Sequence, residues 1–415
     1  MNARRIAFAI AALAALALAG CGGSGNSGAV TLNYYVFSEP SGSFAQAVSD
    51  CTKTSGGRYR IVYNLLPQDA NAQRQQLVRR LAAHDSAIDI VGMDVDWTAE
   101  FADAGWIRPW TGAIGQQVTN GVLPGPVATA TWNGKVYGAP LNSNTQLLWY
   151  RKDLVPNPPT TWSQMIQEAI NLAKQGKAHY IEEQGAQYEG YVVWFNSLVD
   201  SAGGQILNGN KVALGPPAEQ AATVIHDLAN STAADPSLSN SKEDQARLQF
   251  ENGLAAFEIN YPFVWPSAQK DAPNIAKVMG YAPFPRVNGA MTARSSIGGI
   301  NLGVSSYSQH PTQAFQAAAC MADRQHQEID AIKGGLPPTI ASLYDDPALA
   351  KPYPFHALIK QQLTDYGIRP KTPAYSDVSL AIQKTLSPPK AVNPGTAVNT
   401  LTSRINAALS SGALL

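Results

Sequence analysis

An α/β fold of more than one lobe is what the sequence predicts, and three observations carry the prediction. Strand and helix patterns alternate as βαβα through residues 31–93. The 415 residues are chain enough for two or three domains with real cores, and 45% of them are hydrophobic. No internal repeat and no clean linker divides the halves, as expected if the chain crosses several times between two α/β lobes.

The elements follow in order. Residues 1–20 read as a secretion signal, with Arg4 and Arg5 as the positive end and an apolar stretch from Ile6 to Leu18 that is short for a membrane span. The segment ends Leu18-Ala19-Gly20-Cys21, which looks like a bacterial lipobox, so Cys21 is expected to become a lipidated N-terminus. The alternative is a free cysteine after an ordinary signal peptide. Residues 21–28 then form a Gly/Ser tether. No later apolar run is long enough to span a bilayer, so the body is expected outside the cytoplasm and anchored by lipid.

Residues 31–37 (TLNYYVF) alternate as a strand, and Ser43 is expected to cap a helix whose inner face is Phe44, Ala47, Val48 and Cys51. A strand at 60–66, a helix at 72–83 with Leu77, Leu81 and Ala82 inward, and a strand at 88–93 ending at Asp94 complete the βαβα run. Such a sheet presents its ligand-binding loops at the carboxyl ends of the strands, where Glu39, Asp94 and Asp96 fall. From Tyr137 one strand is predicted to run past Asn142 and Asn144 into a Pro-rich turn and a helix from Ser163. Strand and helix signals continue through 192–199, 218–229 and 246–253 to an apolar strand at 255–260, and a β-like run with glycines covers 297–304. A helix at 311–322 precedes the Gly334-Gly335-Leu336-Pro337-Pro338 break, and helices over 355–365 and 397–409 close the chain.

Cysteines are few. Beyond Cys21, only Cys51 and Cys320 remain, an even pair in a compartment that permits disulfides. One bridge joining an early helix to a late one is expected, which would build the N-terminal lobe from both halves of the chain. Two separately buried thiols are the alternative.

Composition excludes several functions. Thirty Lys and Arg balance 30 Asp and Glu, the net charge is +0, and only 14% of residues are charged, so no nucleic-acid footprint exists. Many amides and hydroxyls, with 16 Tyr and 8 Trp, suit a neutral polar ligand better. No H-E-x-x-H, C-x-x-C, G-x-S-x-G or G-x-x-x-x-G-K-[ST] pattern occurs, so neither a metal nor a cofactor is expected, and any ATP work lies on other subunits.

The stretches YRKDLVPNPPTTW, IDIVGMDVDWTAEFADAGW and FEINYPFVW resemble the solute-binding proteins of bacterial ABC sugar importers, and the first pattern is shared with the maltose-binding type. Over nearly the whole mature chain the sequence is similar to the trehalose-binding lipoproteins of mycobacterial-type importers. The ordered matches are VDWTAEFADAGW, LPGPVATA, NTQLLWYRKDLV, VVWFNSLVDSAGG, IGGINLGV, GGLPP and IKQQLTDYGIRPKTPAYSDVS. The resemblance implies a periplasmic-binding-protein-like (type II) fold: two α/β lobes, three hinge crossings and a cleft that closes on its ligand. The expected division is 29–142 with 299–350 for the first lobe, and 143–298 with 351–415 for the second. It further implies a monomeric receptor that captures a disaccharide, trehalose first, and delivers it to a permease pair driven by cytosolic ATPases.

A sugar needs paired acceptors and donors for its hydroxyls and an aromatic plate for its C–H face. Asp94 corresponds to the acid of the trehalose-type motif, although it could instead cap the helix Thr98–Asp103; for Asp96 the cap is the expected role. Glu39 lies on the loop where such proteins place a polar ligand contact. Asn144 sits where the trehalose type carries Asn, with Asn142 as a weaker neighbour. Asn260 and Tyr261 fall in the FEINYPFVW stretch, and Tyr261 stands where the trehalose type has Trp, a departure that bears on which disaccharide is favoured. Core packing is its alternative, and the expected role of Trp194 and Trp265. Arg369 matches an Arg that the resemblance aims into the cleft, against a surface ion pair. Gly299 and Gly298 would let backbone amides approach a ligand, or serve a bulge. Gln73 is either a first-lobe contact or part of a solvated helix face.

Two rival functions are a different α-linked sugar, with an amino acid or oligopeptide behind it, and a secreted glycoside hydrolase using Asp94 and Glu258.

Overall fold

The computed structural model describes residues 28–410, so the signal segment, Cys21 and most of the tether lie outside the described residues. Two sheets organise the chain. The first has five strands in the order Tyr59–Leu66, Val30–Phe37, Ile90–Asp94, Ile300–Val304 and Ala139–Asn142. Its first three strands are parallel, as the βαβα pattern requires, and the last two run antiparallel to their neighbours. The second sheet orders Met279–Ala282, Leu147–Arg151, Ala255–Asn260 and Tyr180–Glu182.

The helix Ser43–Thr54 buries the expected face of Phe44, Ala47, Val48 and Cys51. Ser43 is not its cap. Gly42 holds that place at φ 79°, and Ser43 is the first helical residue, its amide and hydroxyl both donating to Glu39. The next helix begins earlier than expected, at Ala70, because Asp69 accepts from the Ala72 amide at 3.0 Å. Its buried face is Gln73, Leu77, Val78 and Leu81, while Ala82 is exposed, one position round from the core stripe.

The single strand expected from Tyr137 is two. Ala139–Asn142 pairs in the first sheet and Leu147–Arg151 in the second, so residues 143–146 carry the chain between sheets. The chain returns between Met279–Ala282 and Ile300–Val304, and the run expected at 297–304 becomes strand only from Ile300. The two passages are hydrogen-bonded to each other, Asn144 and Gly298 exchanging backbone bonds of 2.9 and 2.8 Å. A third segment joins them: Gly367 donates to Ser295 and accepts from Ile297, both at 2.9 Å. Tyr344, Leu349 and Phe355 already share a core with Trp149 of the second sheet, so residues from about 344 onward pack on that side.

Cys51 and Cys320 are bonded, with a Cα separation of 5.9 Å and 269 residues between them. The bridge ties Ser43–Thr54 to Pro311–Met321, and the first lobe is built from both halves of the chain. Trp194 is fully buried against Trp162 and Tyr191, and Trp265 packs on Trp149 and Phe355, so both serve the core.

Candidate functional site

The carboxyl end of Ile90–Asp94 and the amino end of its antiparallel neighbour Ile300–Val304 lie at one end of the first sheet, and the convergence point there is Arg369. Gly367, bonded into the passages, places the following residues beneath the end of Ile90–Asp94. One terminal nitrogen of Arg369 donates to Asp94 Oδ1 at 2.7 Å, and the other to Glu189 Oε1 at 2.7 Å. Asp96 Oδ1 lies 3.5 Å from that second nitrogen. Arg369 is 4% exposed and Asp94 is 23% exposed, so the acid, not the guanidinium, retains a face toward solvent. The surface ion pair considered for Arg369 is therefore a buried one.

Three acids around one guanidinium cannot ionise independently. Burial would raise Asp94, but Arg369 and hydrogen bonds from Asp96 more than offset it and hold Asp94 below the ordinary value. Asp96 is pushed well above it by burial and by its neighbours Asp94 and Glu189, against Arg369. Glu189 is also raised by burial, against Arg369 and hydrogen bonds from Ser379 and Tyr375. Of the three acids, Asp94 is thus the one whose charged form is favoured, and burial favours the neutral form of Asp96 beside it. The expected cap at Asp96 is corrected: neither Asp94 nor Asp96 makes a side-chain cap to the following helical turns, and Asp96 is 3% exposed beside Arg369.

From the second lobe, Tyr261 stands half-exposed after the strand Ala255–Asn260. Burial raises its phenol, with the charges of Glu243, Asp94 and Glu183 adding to the rise and Arg369 opposing it. Asn144 is partly exposed in the passage between the sheets, with Asn142 beside it. Asp94, Asn144 and Tyr261 are the expected site residues that keep accessible surface around this point.

The other expected residues are turned elsewhere. Glu39 spends its carboxylate on Ser41 and Ser43, where it holds the N-terminus of Ser43–Thr54. Gln73 is buried and donates to the Gln68 carbonyl at 3.2 Å. Asn260 is fully buried, donating to Glu258 and the Glu243 carbonyl while accepting from the Tyr261 amide, so it sets the turn that presents Tyr261. Gly299 has φ 122°, and a Cβ there would sit 2.1 Å from the Asn142 carbonyl oxygen, so glycine is required where the two passages touch.

Glu189 was not anticipated. The signal was a lone acid opening the apolar run 190–195, since a carboxylate buried there must find a partner. Glu258, the second acid of the hydrolase alternative, is fully buried and bonded to Asn260, and burial raises it to about 8. It cannot flank a substrate together with Asp94.

Two lobes thus bring an acid, an amide and a phenol ring around a point floored by the Arg369 guanidinium. The family of bacterial extracellular solute-binding proteins matches residues 38–328. A probable ABC transporter-binding protein of Deinococcus radiodurans is 28% identical over 402 residues, covering 90% of this chain and 92% of that protein. The maltose-bound MalE3 of T. maritima is 25% identical with a TM-score of 0.82, over 91% of this chain and 99% of that one. The GacH receptor of Streptomyces glaucescens, solved unliganded and with acarbose, shares the fold at 21% identity and a TM-score of 0.80, over 92% of this chain and 98% of that one. The chain has the two-lobed fold of these proteins and belongs to the family of bacterial extracellular solute-binding proteins.

Proposed function

We propose that the protein is the lipid-anchored sugar receptor of an ABC importer, that it captures an α-linked disaccharide, trehalose first, by closing its lobes, and that it hands the sugar to a permease pair driven by cytosolic ATPases. The observation that carries the reading is the set Asp94, Asn144 and Tyr261 around Arg369: a charged acceptor and a two-way amide for hydroxyls, and a ring for the apolar sugar face. The neighbours' sugars support the class, the lipobox at Cys21 supports the anchor, and the ordered sequence matches support trehalose. Maltose is the second reading, favoured by the full-length likeness to the maltose-bound structure and by Tyr261 where the trehalose type has Trp. Calorimetry and thermal shift with trehalose, maltose, sucrose and glucose test this, because a ligand that binds only the folded state raises its melting temperature. A shift by trehalose alone supports the first reading, a shift by maltose alone the second, and no shift by any of them overturns the sugar class.

A further inference from the structure

Away from Arg369, the ion pair between Lys242 and Asp69 joins the lobes at the rim. Asp69 follows the strand Tyr59–Leu66 of the first sheet, and Lys242 precedes the helix Glu243–Glu251, which packs on the second sheet's strand Ala255–Asn260. Lys242 Nζ lies 2.5 Å from Asp69 Oδ2, 173 residues away in sequence, with 39% and 32% of the side chains exposed. The same ammonium sits 4.9 Å above the ring of Tyr188, the residue that precedes Glu189. Asp69 Oδ1 meanwhile accepts from the Ala72 amide, so its two oxygens divide between a helix within one lobe and a cation of the other.

We propose that Lys242 is a rim latch: it docks on Asp69 when the lobes close, stays cradled on Tyr188 when they part, and so biases the lobe equilibrium toward closure without touching the ligand. The geometry gives each partner a home on its own lobe, Tyr188 for Lys242 and the Ala72 amide for Asp69, so breaking the pair leaves neither group stranded. A lobe movement can therefore make and break this contact reversibly. Burial would raise the Asp69 carboxyl, but Lys242 and the Ala72 amide more than offset it, so the acid is charged throughout the neutral range. The pair is partly exposed, so its effect is modest and screened by salt.

The inference rests on the receptor reading for its ligand arm only. The test uses Asp69→Asn, which keeps an acceptor for the Ala72 amide, Lys242→Met, which keeps an apolar stem over Tyr188, and the double variant. Small-angle scattering without sugar reads the lobe equilibrium, and trehalose dissociation at low and high salt reads the latch under load. The expected result is a larger radius of gyration in all three variants, equal within error and no longer responsive to salt. Trehalose should leave each variant about three- to fivefold faster than the parent at low salt, and the double variant no faster than either single. Radii of gyration identical to the parent overturn the latch whatever sugar the cleft takes, and additive single effects overturn the pairing. Scattering that responds while trehalose fails to bind supports the latch and overturns only the trehalose reading.

Discussion

Replacing Arg369 with Met keeps most of the side-chain volume and deletes the charge that three acids share. Arg369 is 4% exposed, its two terminal nitrogens hold Asp94 and Glu189 at 2.7 Å, and Asp96 lies at 3.5 Å. Removing one partner of a buried ion pair leaves uncompensated charge and costs about 3–5 kcal/mol. The cost falls chiefly on Glu189, which is 8% exposed, since Asp94 retains some solvent and burial already favours the neutral form of Asp96. Its pH dependence has a fixed sign. Without the guanidinium the folded carboxyls titrate above their unfolded values, so the folded state binds more protons and loses stability as pH rises through the unfolded value. The deficit of Arg369→Met should therefore be largest at pH 7.5 and shrink by pH 5. Urea unfolding followed by the fluorescence of the 8 Trp measures both points. A deficit under about 1 kcal/mol at pH 7.5, or one that does not shrink with acid, would refute the shared-charge account.

Three further outcomes are expected. Gly299→Ala should cost about 2–3 kcal/mol, since its Cβ would meet the Asn142 carbonyl oxygen at 2.1 Å, whereas Gly298→Ala, whose nearest neighbour is 3.5 Å away, should stay within about 1 kcal/mol in the same unfolding assay. Tyr261→Ala should weaken the best-bound sugar at least tenfold, about 1.4 kcal/mol, and Tyr261→Trp should reorder the disaccharides, both read by calorimetry; an unchanged affinity in the Ala variant would remove Tyr261 from the site. Glu258, raised to about 8 by burial, stays protonated in the fold while its unfolded form ionises above the ordinary glutamate value of about 4.5, so it subtracts stability on the order of 1 kcal/mol per pH unit between those values. Glu258→Gln, with an amide oxygen still available to Asn260, should flatten the stability–pH curve in that window.

Much of the first sheet was legible in the letters. Alternation and helical spacing located its three parallel strands and the helix Ser43–Thr54 to within a few residues, and the even cysteine pair pointed to the bridge. These are local or compositional signals, and burial of one face enforces them. At the site, its place at a strand end singled out Asp94, and the resemblance to sugar-importer binding proteins singled out Asn144 and Tyr261. What those letters could not assign was each side chain's partner. Glu39 and Asn260 have the chemistry of ligand contacts, yet a nearby serine pair satisfies one and Glu258 with the Glu243 carbonyl satisfies the other.

The break between Asn142 and Leu147 shows where sequence stops and tertiary structure begins. Residues 139–150 read as one apolar strand, because periodicity reports that a segment is extended and buried but not which sheet it joins. The sequence by itself determined the α/β class and where most strands and helices of the first sheet fall. Only the tertiary structure decided that Arg369 meets Asp94 across 275 residues and Glu189 across 180. A buried charge persists only with a partner, and a partner so distant in the chain is chosen by how the two sheets are connected.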